Sequence, residues 1–292
     1  MQGAFTALVT PFSADERLDL AAFESHVQGQ IDAGIAGLVP CGTTGESPTL
    51  SPDEQRVVIE RCVSVAKGRV PVLAGIGSNS TEHAVALARA ARDAGADGIM
   101  VVMPYYNRPS QEGLLRHVRR VAGSVDAPMV LYNVPSRTAV DLGVSTTLRI
   151  LEACPNVVGI KDASGNVLFC QELLAHAPGR VTIMSGDDAL TLPLMSVGAR
   201  GVISVTSNLL PAAVQQLTRL VDNGDLQAAR ALNSALFPLH RALFSEPSPQ
   251  PIKGILAARG RMLATVRPPL VQASTECVAA VERACVDFEE KS

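Results

Sequence analysis

A lysine ends an apolar run in the segment NVVGIKDASG. Val157, Val158 and Ile160 predict a buried β-strand there. Lys161, which follows them, must extend its amine to solvent, pair with the adjacent Asp162, or react. An apolar mouth disfavours the ammonium form, so the neutral amine could attack a carbonyl and form a Schiff base. The protonated imine of a 2-oxo acid would give an enamine, which can add to an aldehyde without metal or organic cofactor.

Such chemistry needs a proton shuttle and sites for carboxylates. Tyr132 can act as general acid and base, and Thr43 could connect it to a second hydroxyl such as that of Tyr106. Thr44 and the backbone donors of its glycine-rich turn suit one carboxylate. The planar fork of Arg137 suits another. Each residue also has an ordinary structural interpretation, as a core-edge aromatic, a tight turn or a solvated charge.

Eight short apolar runs would bring these residues to one rim. The runs are apolar at consecutive positions, as strands buried on both faces are. They are GAFTALVTPF, AGLVPCGTTGE, VPVLAGIGSN, DGIMVVMPYYN, PMVLYNVPSR, NVVGIKDASG, RVTIMSGDDA and RGVISVTSNL. Amphipathic stretches separate them, so the sequence predicts an α/β fold, a (β/α)8 TIM barrel whose chemistry lies at the carboxyl ends of the strands. A doubly wound sheet is the alternative, but no GxGxxG follows the first run.

The stretches between the runs carry helix signals. Ser51 and Glu54 predict a capping box, and Pro52 occupies the first helical position. We predict a catalytic barrel over residues 1–223 and an all-helical C-terminal domain over residues 224–292 that packs on the barrel, because no low-complexity linker separates them. Within the C-terminal part, SEPSPQPIKG is predicted to be a proline-rich break between helices.

Composition argues against several function classes. The 292 residues carry a net charge of −3 and show no basic surface signal for nucleic acid. No apolar run approaches the ~18 residues of a membrane span, and the N-terminus lacks the basic region and cleavage site of a signal peptide. The six cysteines form no CxxC pair and have no histidine cluster beside them. We therefore expect no membrane contact, no metal, reduced buried thiols and a cytoplasmic protein.

The chain resembles the class I pyruvate-dependent aldolases of the dihydrodipicolinate synthase/N-acetylneuraminate lyase superfamily, and within it the dihydrodipicolinate synthase branch. The resemblance is carried by the stretches GTTGES, MPYYNRPSQEGL, LYNVPSRT, GIKDASGN, SGDD, GVISVTSN and LFSEPSPQPIK. It implies that Lys161 forms the Schiff base with pyruvate. Tyr132, Thr43 and Tyr106 would form the proton relay, with Tyr106 reaching into a neighbouring subunit's site.

The resemblance also implies the substrate contacts and the product. Thr44 would contact the pyruvate carboxylate, and Arg137 would hold the carboxylate of L-aspartate 4-semialdehyde. Gly186 and Ile203 would line the pocket of the lysine, mostly through backbone carbonyls. The product would be 4-hydroxy-tetrahydrodipicolinate, which feeds lysine and diaminopimelate biosynthesis. No cofactor is implied, and the implied assembly is a homotetramer, a dimer of dimers.

Two other functions stay open at this point. Sialic acid lyases and keto-deoxy sugar acid aldolases share the lysine, the tyrosine and the turn, but lack an arginine equivalent to Arg137 within NVPSRT. That arginine suits a short aldehyde with its own carboxylate rather than a polyol chain. The other alternative is a non-catalytic relative that binds 2-oxo acids, against which the intact set of Lys161, Tyr132 and Thr43 argues.

An allosteric cleft at a dimer interface is also implied. Relatives inhibited by L-lysine carry such a cleft, and the matching residues here are Ser47, Asn79 and Tyr105. Where enterobacterial enzymes have two histidines and a glutamate, this chain has Pro52, Gln55 and His83. Loss of the carboxylate removes a partner for the ammonium groups of lysine, and a protonated histidine would repel them. We therefore predict weak or absent inhibition by L-lysine.

Overall fold

The computed structural model describes residues 1–290, in which eight parallel strands alternate with helices. The strands are Gly3–Ala7 (β1), Gly37–Val39 (β2), Leu73–Gly75 (β3), Gly98–Val102 (β4), Met129–Asn133 (β5), Val157–Asp162 (β6), Thr182–Ser185 (β7) and Gly201–Ser204 (β8). They pair in the order β2-β1-β8-β7-β6-β5-β4-β3. A bridge between Leu38 and Val72 joins the two ends of this sheet. The result is a nearly closed barrel, which confirms the predicted (β/α)8 fold.

The helices lie between the strands and after the last one. They are Leu20–Asp32 (α1), Pro52–Ala66 (α2), Thr81–Asp93 (α3), Gln111–Ala122 (α4), Pro135–Thr138 (α5), Val144–Ala153 (α6), Val167–His176 (α7), Thr191–Ser196 (α8), Pro211–Asp222 (α9), Leu226–Ala242 (α10), Gln250–Ala258 (α11) and Thr275–Glu289 (α12). The predicted capping box of α2 is present, since the side chain of Ser51 accepts from Glu54 N and that of Glu54 accepts from Ser51 N. Within residues 1–290, no helix combines the length and apolar character needed to cross a membrane.

Alternation along the strands divides the buried side chains into two layers. The inner layer fills the barrel and consists of Phe5, Ala7, Val39, Leu73, Met100, Val130, Tyr132, Val134, Met184 and Ile203. The outer layer lies between strands and helices and includes Leu38, Ile99, Leu131, Ile160, Ile183 and Val202. Inward-pointing side chains at the carboxyl ends of the strands therefore lie directly above the buried apolar side chains of the inner layer.

Strand β6 contains a bulge that the sequence did not predict. The register of β5 and β6 shifts after the pair Met129–Val157, and Val158 is left out of the pairing. Val158 is 37% exposed, whereas Val157 and Ile160 are fully buried. The prediction that all three apolar residues are buried is therefore wrong for Val158, because two residues opposite one turn the extra side chain out of the sheet.

The C-terminal segment, described over residues 224–290, packs on the barrel through a shared apolar cluster. Helix α9 ends at Asp222 and helix α10 begins at Leu226, so the predicted boundary lies in the connection between them. The division into two domains stays a prediction, and the last two residues of the second domain lie outside the described part of the chain. Only the first part of the stretch SEPSPQPIKG separates two helices, since α11 begins within it at Gln250. Pro251 does not oppose that helix, because the first turn needs no hydrogen bond from its nitrogen.

Candidate active site

Lys161 points into the barrel at the carboxyl end of β6. Its two register partners, Tyr132 and Met184, both belong to the inner layer. The residue is only 5% exposed, so its amine does not extend to solvent. The Nζ atom lies 4.2 Å from the centroid of the Tyr132 ring, so the amine meets the face of the aromatic system.

Asp162 is not the partner of Lys161. Its carboxylate accepts hydrogen bonds from Asn133 Nδ2 at 3.0 Å and Ser164 Oγ at 2.8 Å, on the opposite face of the strand as alternation requires. Burial raises the pKa of Asp162, and the hydrogen bonds from Ser164 and Asn133 oppose that shift. Within residues 1–290 Lys161 forms no ion pair, so neither ordinary interpretation of this lysine describes its environment.

Tyr132 and Thr43 border the same narrow cavity of about 30 Å³. Tyr132 is 5% exposed, and its ring is held between the inner layer and Lys161. Thr43 also lines a second, larger cavity of about 290 Å³, which we call the outer cavity. Thr43 thus borders both the narrow cavity beside Tyr132 and the outer cavity, and its relay role stays a prediction.

The turn after β2 presents Thr43 and Thr44 at the rim of the barrel. It is closed by the amide of Gly45, which donates to Gly42 O at 3.1 Å. A Cβ atom at Gly45 would lie 3.1 Å from the carbonyl oxygen of Leu8, so a larger residue there would push the turn and the chain after β1 apart by a few tenths of an ångström. Thr44 is buried, and its position stays compatible with the predicted carboxylate contact.

Gly186 lies next to the end of β6, and Ile203 belongs to the inner layer. The amide of Gly186 donates to Asp162 O at 2.6 Å. A Cβ atom at Gly186 would lie 2.8 Å from that of Ala163, so the chain after β7 approaches the chain after β6 only with glycine there. Ile203 is 1% exposed within the inner layer. Their role in lining the lysine's pocket stays a prediction.

Arg137 reaches the site from the short helix α5. Its side chain is exposed and lines the outer cavity together with Thr43 and Tyr105. Among the described residues no carboxylate forms an ion pair with it. The guanidinium is therefore available to a carboxylate that enters the outer cavity.

Tyr106 is not brought into the site by a single chain. Its side chain is 90% exposed, and its backbone is left-handed, with φ of +72°. A tyrosine in this conformation is uncommon and must be held by its surroundings. The relay role predicted for Tyr106 depends on a neighbouring subunit and stays a prediction.

The residues of the predicted lysine cleft are brought together only in part. Ser47, His83 and Tyr105 line the outer cavity. Asn79 does not border it, and its carbonyl oxygen accepts a hydrogen bond from Asn107 Nδ2 at 2.9 Å. The cleft as predicted therefore merges with the space in front of Thr43.

A buried ion pair that the sequence analysis did not identify lies behind the turn. Lys253 Nζ, from α11, is 2.7 Å from Glu46 Oε1. Burial lowers the pKa of Lys253, and the charge of Glu46 opposes that shift. A signal for it was available, because Lys253 interrupts the apolar residues of PIKGIL much as Lys161 interrupts NVVGI, but the neighbouring prolines predicted a break instead.

The cysteines and other metal-binding side chains form no cluster in the described part of the chain. No group of three or more His, Cys, Asp or Glu side chains there could hold a metal ion. All six cysteines are free and buried. Burial raises the pKa of the Cys170 thiol to about 12, so this sulfur is a packing group rather than a nucleophile.

Comparison with known proteins identifies the family of this chain. A model of the dihydrodipicolinate synthetase family matches residues 1–286. The 4-hydroxy-tetrahydrodipicolinate synthase of Sorangium cellulosum (strain So ce56) is 58% identical over 274 residues, covering 94% of this chain and 91% of the relative. That of Nitratidesulfovibrio vulgaris (strain DP4) is 50% identical over 268 residues, covering 92% and 91%. The solved structure of the enzyme of that name from the thermoacidophilic methanotroph Methylacidiphilum fumariolicum SolV matches with a TM-score of 0.97 at 44% identity, covering 100% of this chain and 97% of that one.

Proposed function

This chain belongs to the dihydrodipicolinate synthetase family, and from that premise we propose how its site works. The reaction is the lyase-class condensation of pyruvate with L-aspartate 4-semialdehyde to 4-hydroxy-tetrahydrodipicolinate, a step of lysine and diaminopimelate biosynthesis. The observation that carries the mechanism is the placement of Lys161, whose amine is buried against the Tyr132 ring and forms no ion pair within residues 1–290.

Lys161 acts as the nucleophile. Its amine attacks C2 of pyruvate, and loss of one water gives the imine. A proton leaves the methyl carbon, so the imine becomes an enamine. That carbon then attacks the aldehyde of the second substrate, forming the new C–C bond while the aldehyde oxygen gains a proton. The amine of the second substrate finally displaces Lys161 from the imine carbon, which closes the ring and regenerates the enzyme.

Tyr132 and Thr43 move the protons of these steps. The Tyr132 hydroxyl is the acid and base beside the imine, supported by its ring contact with Lys161. Thr43 passes protons toward the outer cavity, supported by its place on both cavities. Tyr106 of a neighbouring subunit completes the relay. Thr44 and the amides of its turn hold the pyruvate carboxylate, with Gly186 and Ile203 bordering the same pocket.

Arg137 binds the carboxylate of L-aspartate 4-semialdehyde. We expect Arg137→Ala to raise the KM for this substrate by about 10- to 100-fold, because a hydrogen bond to a charged group contributes about 1.5–3 kcal/mol. The KM for pyruvate should stay close to its original value. Steady-state kinetics with each substrate varied in turn measures both constants.

The matched control for this variant is Arg116→Ala. Arg116 is an exposed arginine of α4 that pairs with Glu112 at 3.1 Å and lies outside the site, so neither KM should change. N-acetylmannosamine, offered in place of the semialdehyde, should not be used as an acceptor. A preference for that polyol, or an unchanged KM in Arg137→Ala, would contradict the substrate assignment.

Inhibition by L-lysine is proposed to be weak or absent. The side-chain amide of Gln55 donates to Ser47 O at 3.0 Å, and His83 offers no negative charge to an ammonium group. We therefore expect submillimolar L-lysine to leave the initial rate unchanged, while His83→Glu should make the rate sensitive to it. Strong inhibition of the natural chain below 1 mM would contradict this proposal.

The proposed assembly is a homotetramer, built as a dimer of dimers, in the cytoplasm. The exposed Tyr106 supports at least a dimer, because its relay role requires a second chain. The six free cysteines support a reducing compartment, where thiols stay unpaired.

A further inference from the structure

The ion pair between Lys253 and Glu46 joins α11 to the turn that carries Thr43 and Thr44. The two side chains are 0% and 1% exposed, and they are 207 positions apart in sequence. Removing two charges from water is costly, and such a pair persists only where its remaining hydrogen bonds are also satisfied. A buried pair so close to a proposed catalytic turn therefore calls for a role.

Both members of the pair have further partners. Lys253 Nζ also donates to Thr10 O at 2.9 Å and lies 4.2 Å from the centroid of the Phe12 ring. The second carboxylate oxygen of Glu46 accepts from the backbone amide of Arg267 at 2.9 Å. The C-terminal segment thus supplies donors to both oxygens of Glu46 and fixes this carboxylate in one position.

Glu46 also restrains the turn after β2. Its φ of +55° lies in the left-handed region, which a residue other than glycine adopts only when its surroundings hold it there. In that conformation its amide donates to Thr43 O at 3.1 Å. The carbonyl of Gly45, next to it, accepts from Thr10 Oγ1 at 2.8 Å. A continuous chain of bonds therefore runs from Lys253 and Thr10 to the backbone of Thr43.

We infer that Lys253 is a positioning residue of the proposed reaction, which holds Glu46 from the C-terminal segment and thereby sets the Thr43–Thr44 turn for proton transfer and for the pyruvate carboxylate. This inference rests on the proposed function, because it assumes the roles given there to the two threonines. It also gives the C-terminal segment a part in catalysis beyond packing.

The test uses the full chain with both charges removed. Lys253→Met alone leaves Glu46 buried without its cation and could prevent folding, whereas the double variant Glu46→Gln/Lys253→Met keeps the volume and removes both charges. We expect the double variant to fold and its kcat/KM for pyruvate to fall by about 10- to 100-fold, because small misplacements of catalytic groups have effects of this size. Its kcat should fall because Thr43 is misplaced for proton transfer. Its KM for pyruvate should rise because Thr44 is misplaced for the pyruvate carboxylate.

A second measurement follows the turn itself. Hydrogen exchange of the amides in residues 42–47 should become faster in the double variant while exchange in the barrel strands stays unchanged. The matched control is Arg259→Met, which breaks the pair of Arg259 with Glu282 at 3.2 Å inside the C-terminal segment. That control should lower the melting temperature but leave kcat, KM and exchange in the turn unchanged.

The outcomes separate this inference from the proposed function. A double variant that folds with unchanged kcat and KM, or with unchanged exchange in the turn, overturns the inference, provided that the natural chain forms its adduct with pyruvate on Lys161. If the natural chain forms no such adduct, the proposed function itself fails, and the positioning role falls with it.

Discussion

Lys161→Ala is expected to lower kcat on the order of 10⁴-fold or more, since a covalent mechanism has no alternative nucleophile at this position. The loss should not come from unfolding. Lys161 forms no ion pair within residues 1–290, and its main contact is the ring of Tyr132, so the fold depends on it little. Initial rates with saturating pyruvate and semialdehyde, together with thermal melting curves, separate the two effects.

The control for this variant is Lys67→Ala, which removes an exposed lysine at the end of α2. It should keep the natural kcat. A Lys161→Ala protein that retains more than about a tenth of the natural kcat would rule out the Schiff-base mechanism, because loss of a covalent catalyst cannot be that mild.

Tyr132→Phe is expected to lower kcat by about 10²- to 10⁴-fold, the usual contribution of a general acid–base group. The substitution keeps the ring, so the packing in the inner layer and the contact with the Lys161 amine should remain. The KM for pyruvate should change much less than kcat. The measurement is a full kinetic comparison of the two proteins in which the concentration of each substrate is varied in turn.

Met184→Leu provides the comparison for Tyr132→Phe. Met184 is the register partner of Lys161 on β7, as Tyr132 is on β5. It also belongs to the inner layer, but it has no hydroxyl. A volume-conserving change there should alter kcat only slightly. Equal losses in the two variants would show that packing around Lys161, rather than the Tyr132 hydroxyl, is what matters.

Much of the fold could be predicted from local sequence patterns. Each strand appears as a short apolar run because a parallel strand is buried on both faces. The start of α2 was predictable to the residue, since the side chains of Ser51 and Glu54 accept from each other's backbone amides and Pro52, at the first helical position, has no amide to satisfy. The rim residues followed from the fold, because the active sites of such barrels lie at the carboxyl ends of the strands.

The features that could not be predicted depend on distant partners. The exposure of Val158 comes from the pairing of β6 with β5, which no property of NVVGI contains. The partner of Lys253 is a residue of the second βα turn, and only the folded chain brings the two together. The outward orientation of Tyr106, by contrast, was expected from the family resemblance, although the residues next to it in sequence do not indicate it.

The most direct test of the mechanism is reduction of the enzyme with borohydride in the presence of pyruvate, followed by peptide mass spectrometry. The imine would be trapped as a stable N-(1-carboxyethyl) derivative of the lysine that formed it. We predict one modified lysine, Lys161, and no modification when pyruvate is omitted. An adduct on Lys67 or Lys253 instead, or no adduct in an enzyme that still turns over, would contradict the assignment of Lys161 as the nucleophile.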